Sequence, residues 1–489
     1  MINKSLRIII LLFSLSISSC EEWLTLLPPQ GLVTEEYWKN KEDVEAVLMN
    51  AYKEFTNLDG TLFKLGELRA DLITGQNNMP LDEYNITVSN IYPTNSLSNW
   101  AGFYSVILNC NLVLKYADEV KKVDKTFIEY DLKRFKAEAI FLRSLSYFYL
   151  VRIFNDVPLV LTPSENDNAD FFPPLTKSEV ILDTIVNNLI TASNFLPVNL
   201  DYGNIQENKG RATVGAIYAL LADIKLWQFE YNDCVQYVQK IEDLGIYGLV
   251  PTGQWFNIFA IGNTPEGIFE LQFDSNLGQN NRLFSITYLQ NYYLASDYAL
   301  EILSLTTSKE VQRGPGSLRE TNGLIWKYCG ISNDGLSIRP TSSRSSANWI
   351  VYRMADVLLM KAEAFAQLGR FEESLDIIND IRFRASMGNV QNIPNNTEAF
   401  ENLILLERAK ELAYEGKRWF DLLRMGRRNN YARKEDLIQI LIRNVNASQK
   451  RVLSTKLNNH MGWFLPIYQP ELERNKNLVQ NEYYRQYYN

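Results

Sequence analysis

The feature that most restricts the fold is a size pattern that occurs twice. Tyr218, Ala222, Tyr231, Cys234, Val238 and Ile241 run large, small, large, small, large, large, and Leu358, Ala362, Phe371, Ser374, Ile378 and Ile381 repeat that order at the same spacings. Steps of three, four and seven residues keep side chains on one face of an α-helix. Each stretch therefore reads as a helix ending near Gln228 or Gly369, a tight turn, and a second helix packed on the first, with the small residues letting the backbones approach. Such a hairpin cannot bury its own apolar face, so more helix pairs are required. Candidates are 43–55, 100–116, 132–154 and 403–424.

The second copy, LLMKAEAFAQLGRFEESLDIINDI at 358–381, resembles the tetratricopeptide repeat. Irregular spacing between the candidate helices predicts a mainly α fold of tetratricopeptide-like pairs with long insertions, not an open solenoid. Two stretches read as non-helical. Residues 71–100 are rich in Asn, Pro and Gly, and 250–349 mix polar loops with short strand-like runs such as GIFELQF at 267–273. Loops of this length in a compact domain are usually functional or disordered, and their aromatic content argues for order.

The N-terminus predicts where the chain works. Lys4 and Arg7, the apolar run from Ile8 to Phe13 and the small Ser18 and Ser19 form a secretory signal, 1–19, too short for a helix that spans a bilayer. Ile17-Ser18-Ser19-Cys20 resembles a bacterial lipobox, which makes Cys20 the expected lipidation site. Glu21-Glu22 resembles the acidic surface-export tag of Bacteroidetes lipoproteins. The reading is an outer-membrane, lipid-anchored, cell-surface protein, with an ordinary cleaved signal as the alternative. Cleavage removes two cations from a chain already at formal charge −8, which offers nucleic acid no attraction. Cys110, Cys234 and Cys329 remain, without CxxC spacing; Cys110 and Cys234 read as small core residues.

Several blocks together resemble the SusD/RagB family: CEEWLTLLPPQGLVTEEYWKNKEDVEAVLMNAY at 20–52, KAEAIFLRSLSYFYLVRIFNDVPLV at 136–160, VYRMADVLLMKAEA at 351–364, ERAKELAYEGKRWFDLLRMG at 407–426 and WFLPIYQPELERNKNLVQNEYY at 463–484. They occur in family order. Asn155 stands where the family pattern has Gly, Tyr468 replaces a proline, and Glu482-Tyr483 replaces Pro-Gly. The resemblance implies one SusD-like domain over 20–489, its N-terminal part 20–250 and its loop-rich and C-terminal part 251–489. It implies four tetratricopeptide-like pairs with a loop-rich lobe, and a lipoprotein that captures glycan, or in some members peptide, and delivers it to a TonB-dependent outer-membrane transporter of SusC type.

Chemistry is narrowed by what is missing. His460 is the sole histidine, so a histidine metal cage is excluded and a Ser-His-Asp triad is not expected, and no GxSxG, GxxxxGK[ST] or HExxH occurs. Neither a metal nor a cofactor is expected. A glycosidase needs only two carboxylates, and Glu411 and Glu415 lie one helical turn apart. Arg408, Lys410, Lys417, Arg418 and Arg424 surround them, so structural ion pairs are the expectation. Sugar binding instead calls for flat aromatic faces beside planar amides and charges. The 71–100 loop supplies Asp71, Gln76, Asn77, Asn78, Asn95, Tyr92 and Trp100. The 275–349 loop supplies Arg282, Tyr288, Tyr292, Tyr293 and Trp326. The ligand-binding residues expected from these are Asp71, Asn95, Trp100, Arg282, Tyr288, Tyr292, Tyr293 and Trp326, in a non-catalytic protein. Trp100 also fits the family's packed "W...Y..I..cN" block. Peptide or glycopeptide capture by the same fold, a glycoside hydrolase and a periplasmic scaffold are the alternatives.

Overall fold

Helix α1 (Lys41–Thr56) starts at a capping box, in which the Asn40 side chain accepts from Asp43 N and the Asp43 carboxylate accepts from Asn40 N, both at 3.0 Å. Its Val44, Leu48, Ala51 and Phe55 recur at helical spacing and are buried. The computed structural model describes residues 37–163, 171–199 and 204–487, so the expected signal at 1–19 and Cys20 lie outside the described residues. After α1 come α2 (Asp59–Glu67), strand β1 (Ile73–Gly75), the short α3 (Leu81–Thr87), and two long helices, α4 (Ala101–Val123) and α5 (Glu129–Phe154). α1 packs on α4 and α4 on α5. Helix α5 is buried on nearly every side, so its charges need partners: Glu138 is gripped by Arg211 at 2.9 Å through two nitrogens and accepts from Tyr52 Oη at 2.8 Å.

A two-residue ladder, β2 (Val157–Pro158) with β3 (Leu175–Thr176), leads to α6 (Ser178–Ser193). The first expected hairpin follows as α7 (Val214–Trp227) and α8 (Tyr231–Asp243). Beyond it lie β4 (Gly267–Leu271), β5 (Tyr293–Ala295), α9 (Asp297–Ile302) and β6 (Trp349–Arg353), with β4 paired antiparallel to β6. The second hairpin is α10 (Met354–Gln367) with α11 (Phe371–Arg384), turning through Gly369 at φ +74°. α8 packs against α10, where Cys234 is fully buried with its Sγ beside Met360 O. Cys110 is buried as expected, and so is Cys329.

Two expectations are corrected. The 403–424 stretch is two helices, α12 (Thr397–Glu411) and α13 (Arg418–Tyr431), broken where Tyr414 and Gly416 take positive φ. The break is packing-driven: Gly416 passes so close to α2 that a Cβ on Gly66 would lie 2.0 Å from Gly416 O, and one on Gly416 would lie 2.8 Å from the Trp349 ring. The 71–100 stretch also contains α3, so it is not wholly irregular. The chain closes with α14 (Lys434–Leu441), α15 (Ala447–Leu457) and α16 (Gln469–Arg474). One apolar cluster runs from Val44 to Tyr484.

The blocks quoted above have a physical reason to be charged. Arg353 binds Glu411 at 2.7 Å and Glu415 at 2.8 Å, Asp356 meets Arg408 and Lys417 at 2.9 Å, and Glu363 meets Arg424 at 2.6 Å. All are buried, and they bolt the end of β6 and α10 to α12 and α13.

Candidate functional site

The long loops meet because β1 pairs antiparallel with β5, Ile73 opposite Ala295, Thr74 opposite Leu294 and Gly75 opposite Tyr293. Past the ladder, Gln76 N donates to Tyr292 O at 2.9 Å and Asn78 Nδ2 to Gln290 O at 2.7 Å. A π-helical turn, Ser285–Leu289, precedes this edge; such wide turns concentrate at functional sites. Asn291 then takes φ +49°, which asparagine tolerates better than most residues, and its side-chain oxygen is buried without a hydrogen-bond partner. The outcome is a rim with Thr74, Asn77, Asn78, Leu289 and Gln290 exposed and Gln76, Tyr288, Asn291 and Tyr292 half-buried. Tyr84 on α3 is also exposed, its hydroxyl accepting from Gln449 Nε2 at 3.4 Å. Flat rings and planar amides on a shallow polar face are the groups that pyranose C–H faces and hydroxyls require.

The expected site residues divide. Arg282 is exposed, its backbone N–H held by Asp59 Oδ2 at 2.6 Å, and Tyr288 and Tyr292 present part of their rings. The other five are corrected, because each side chain is buried with partners inside the protein. Asp71 is 1 % exposed and doubly bonded by Arg418. Asn95 caps the turn Ser96–Ser98 and donates to Asp82 O at 2.9 Å. Tyr293 is fully buried, its hydroxyl bonded to Glu83, and burial followed by that carboxylate pushes its pKa far up. Trp326 is fully buried, with Nε1 donating to Ser332 O at 2.8 Å and the Arg319 guanidinium 4.0 Å over its ring. Trp100 is 4 % exposed and packs edge-on against Phe154 and Tyr104.

Trp100 nonetheless reaches the wall of a groove of about 830 Å³ that Tyr104, Leu108, Pro158, Phe171 and Phe172 also line. Sequence reasoning missed it. The signal was the run Phe171-Phe172-Pro173-Pro174, an aromatic pair followed by two stiff residues, anchored by Asn475 Nδ2 to Pro173 O at 2.9 Å and Asn477 Nδ2 to Phe172 O at 2.7 Å.

Glu411 and Glu415 behave as expected. Burial works to raise both, but Arg384, Arg353 and Arg313 hold Glu411 well below the usual carboxylate range, and Arg353 and Lys327 hold Glu415 down. Glu411 also accepts from Trp255 Nε1 at 2.9 Å, so neither carboxyl has a proton or a free oxygen to offer a glycosidic bond. Among the described residues no three His, Cys, Asp or Glu side chains gather as metal ligands would, and no helix is long and apolar enough to cross a membrane.

Two family models match: residues 22–226 fit the one described as "Starch-binding associating with outer membrane", and 319–484 fit the SusD family. The chain belongs to the SusD/RagB family. It is 25 % identical to a SusD-like protein of Formosa agariphila over 474 residues, 86 % of this chain and 91 % of that one. Among solved structures, a laminarin-binding SusD-like protein superposes with a TM-score of 0.73 at 22 % identity, over 91 % of this chain and all of that one. Surface glycan-binding protein A from Bacteroides uniformis superposes with a TM-score of 0.73 at 21 % identity and the same coverage. The SusD-type helical fold expected from the blocks is therefore the fold observed.

Proposed function

We propose that this SusD-family chain captures an oligosaccharide on the rim where β1 meets β5. The observation that carries the reading is the pairing itself, which collects Asn77, Asn78, Gln290 and Tyr292 from segments more than two hundred residues apart onto one exposed edge. Two neighbours of the same fold bear names that state laminarin or surface-glycan binding, which supports a sugar ligand. Lipidation at Cys20 would hold the body at the cell surface, and the captured glycan would pass to a TonB-dependent transporter, the partner that supplies energy for import.

The test is native affinity electrophoresis of the chain from Glu21 onward through gels containing plant, host and microbial polysaccharides. Retardation by one polymer, abolished when Tyr292 and Asn78 are both replaced by alanine, is the expected result. A folded protein that no polymer slows, or a double variant retarded as strongly as the parent, overturns the assignment.

A further inference from the structure

Immediately after β5, helix α9 presents Tyr298, and the central carbon of the Arg443 guanidinium lies over its ring, 3.9 Å from the centroid. The Arg443 side chain is 40 % exposed. Its nearest carboxylate oxygen is Asp71 Oδ2 at 3.6 Å, which already accepts from Arg418 at 2.9 Å. At that distance the contact is an ion pair without a hydrogen bond, so the donors of the Arg443 fork are left open.

Two clefts flank this stacked pair, and both are lined by Tyr298 and Arg443. One is about 380 Å³, with Asn402, Arg433, Gln439 and the Arg433-paired Asp436 in its wall; the other is about 340 Å³, with Asp297 and Glu301 unpaired with any cation of that wall. The first lies at the lower end of the range for small-ligand sites. In it Arg418 is committed to Asp71, and Arg433 to Glu401 at 2.6 Å and Asp436 at 2.7 Å. Arg443 is thus the cation there with unused donors. The first cleft sets three arginines against the single carboxylate of Asp436, whereas the second sets Asp297 and Glu301 against Arg443 alone, so an anionic group is favoured on the first side and neutral hydroxyls on the second.

The pair and the proposed glycan rim stand at opposite ends of the β1 to β5 ladder, whose three rungs span about 10 Å, a distance that an oligosaccharide can bridge. Asp71 precedes β1, Tyr298 follows β5, and Asp71 O accepts from Ser296 Oγ and from Asn444 Nδ2, both at 2.6 Å.

We propose that Arg443, stacked on Tyr298, reads the carboxylate or sulfate of an acidic sugar in the captured glycan. A planar fork matches both anions through two parallel hydrogen bonds, and the stacking holds it in place before the ligand arrives. With a formal charge of −8 the chain supplies no general attraction for a polyanion, so selection rests on this local contact. The inference builds on glycan capture at the rim.

The experiment is calorimetric titration of the chain from Glu21 onward with galacturonate oligosaccharides, sulfated galactan oligosaccharides and their uncharged counterparts, using the parent, Arg443→Gln, Arg443→Lys and Tyr292→Ala. The expected result is an acidic probe bound about tenfold tighter than its uncharged counterpart. Arg443→Gln erases that preference, and Arg443→Lys retains part of it, since a point charge replaces the fork. Which acidic probe is preferred tells carboxylate from sulfate. Equal affinity for charged and uncharged probes, or a preference that survives Arg443→Gln, overturns the inference. If uncharged probes still bind and Tyr292→Ala weakens them, capture at the rim stands without it. If the parent binds no probe of either kind, the anion inference falls, and the polysaccharide gels decide separately on capture.

Discussion

Arg418 grips Asp71 with a two-point fork, Nε to Oδ1 at 2.7 Å and Nη2 to Oδ2 at 2.9 Å, tying α13 to the chain that enters β1. Both side chains are almost wholly buried, so neither charge can fall back on water when the other is removed. Breaking one partner of a buried pair costs about 3–5 kcal/mol, whereas replacing both by apolar residues of similar volume is often neutral. Asp71→Ala is expected to lower stability by that amount and to loosen the β1 to β5 edge. Urea unfolding together with hydrogen exchange at Thr74 and Leu294 checks both; an exchange rate unchanged at those amides would detach the rim from the fork.

Trp100→Ala separates a ligand platform from a core residue. The ring is packed edge-on between Phe154 and Tyr104 at 5.3 and 5.7 Å, and it is 4 % exposed where it lines the neighbouring groove. Truncating a buried tryptophan costs about 3–5 kcal/mol. The expected outcome is a clear drop in melting temperature, with glycan affinity of the protein that remains folded unchanged. Lost affinity at parental stability would return Trp100 to the site.

How much could be read in advance follows from the range of the interactions. The two helix hairpins were visible because their size pattern is local and periodic. The break between α12 and α13 was not: Gly416 is placed by Gly66 and Trp349, neither near it in sequence. The same holds for the rings. Tyr292 and Tyr293 are adjacent in one aromatic loop, yet Tyr293 points at Phe63 and Glu83 while Tyr292 keeps part of its face in solvent. In a strand, neighbours face opposite sides, and which side is the core depends on pairing that a single loop does not encode. Arg443 was passed over because its meaning lies in Tyr298 and Asp71, again far away in the chain.

Stability should bend with pH in two opposed places. Burial pushes Glu67 up to about 8, only partly offset by the Gly416 N–H that donates to it and by Lys327 and Arg418, and its second oxygen has no hydrogen-bond partner. Unfolded, a glutamate titrates near ~4.3. Between those values the folded state holds the extra proton, so stability falls as pH rises and levels off above about 8. Asp356 and Glu363 act in reverse. Burial works to raise them, yet Lys417 and Arg408 hold Asp356 at about 2, and Arg424 and Arg428 hold Glu363 at about 2. Their contribution is complete above the unfolded values near ~4 and is lost as pH falls through the folded ones. Glu67→Gln should remove the first slope and leave the acid limb, gaining on the parent at pH 8 relative to pH 5 by a few kcal/mol. Denaturant titrations at pH 3, 5 and 8 read this directly, and parallel profiles for both proteins would contradict it.

Tyr292→Ala tests the rim at the residue where packing and exposure are most evenly divided. The ring sits edge-on to Tyr293 at 6.1 Å, and its backbone closes the edge by accepting from Gln76 N, a bond that alanine keeps. The substitution therefore removes a face and little framework. Glycan affinity should fall about tenfold, ~1.4 kcal/mol, while the stability cost stays near ~1–2 kcal/mol. Affinity gels run beside a thermal melt distinguish the cases: retardation lost with folding kept marks Tyr292 as a contact, whereas full retardation with a lowered melt would make it one more packing residue and shift the site towards the Phe171 and Phe172 groove.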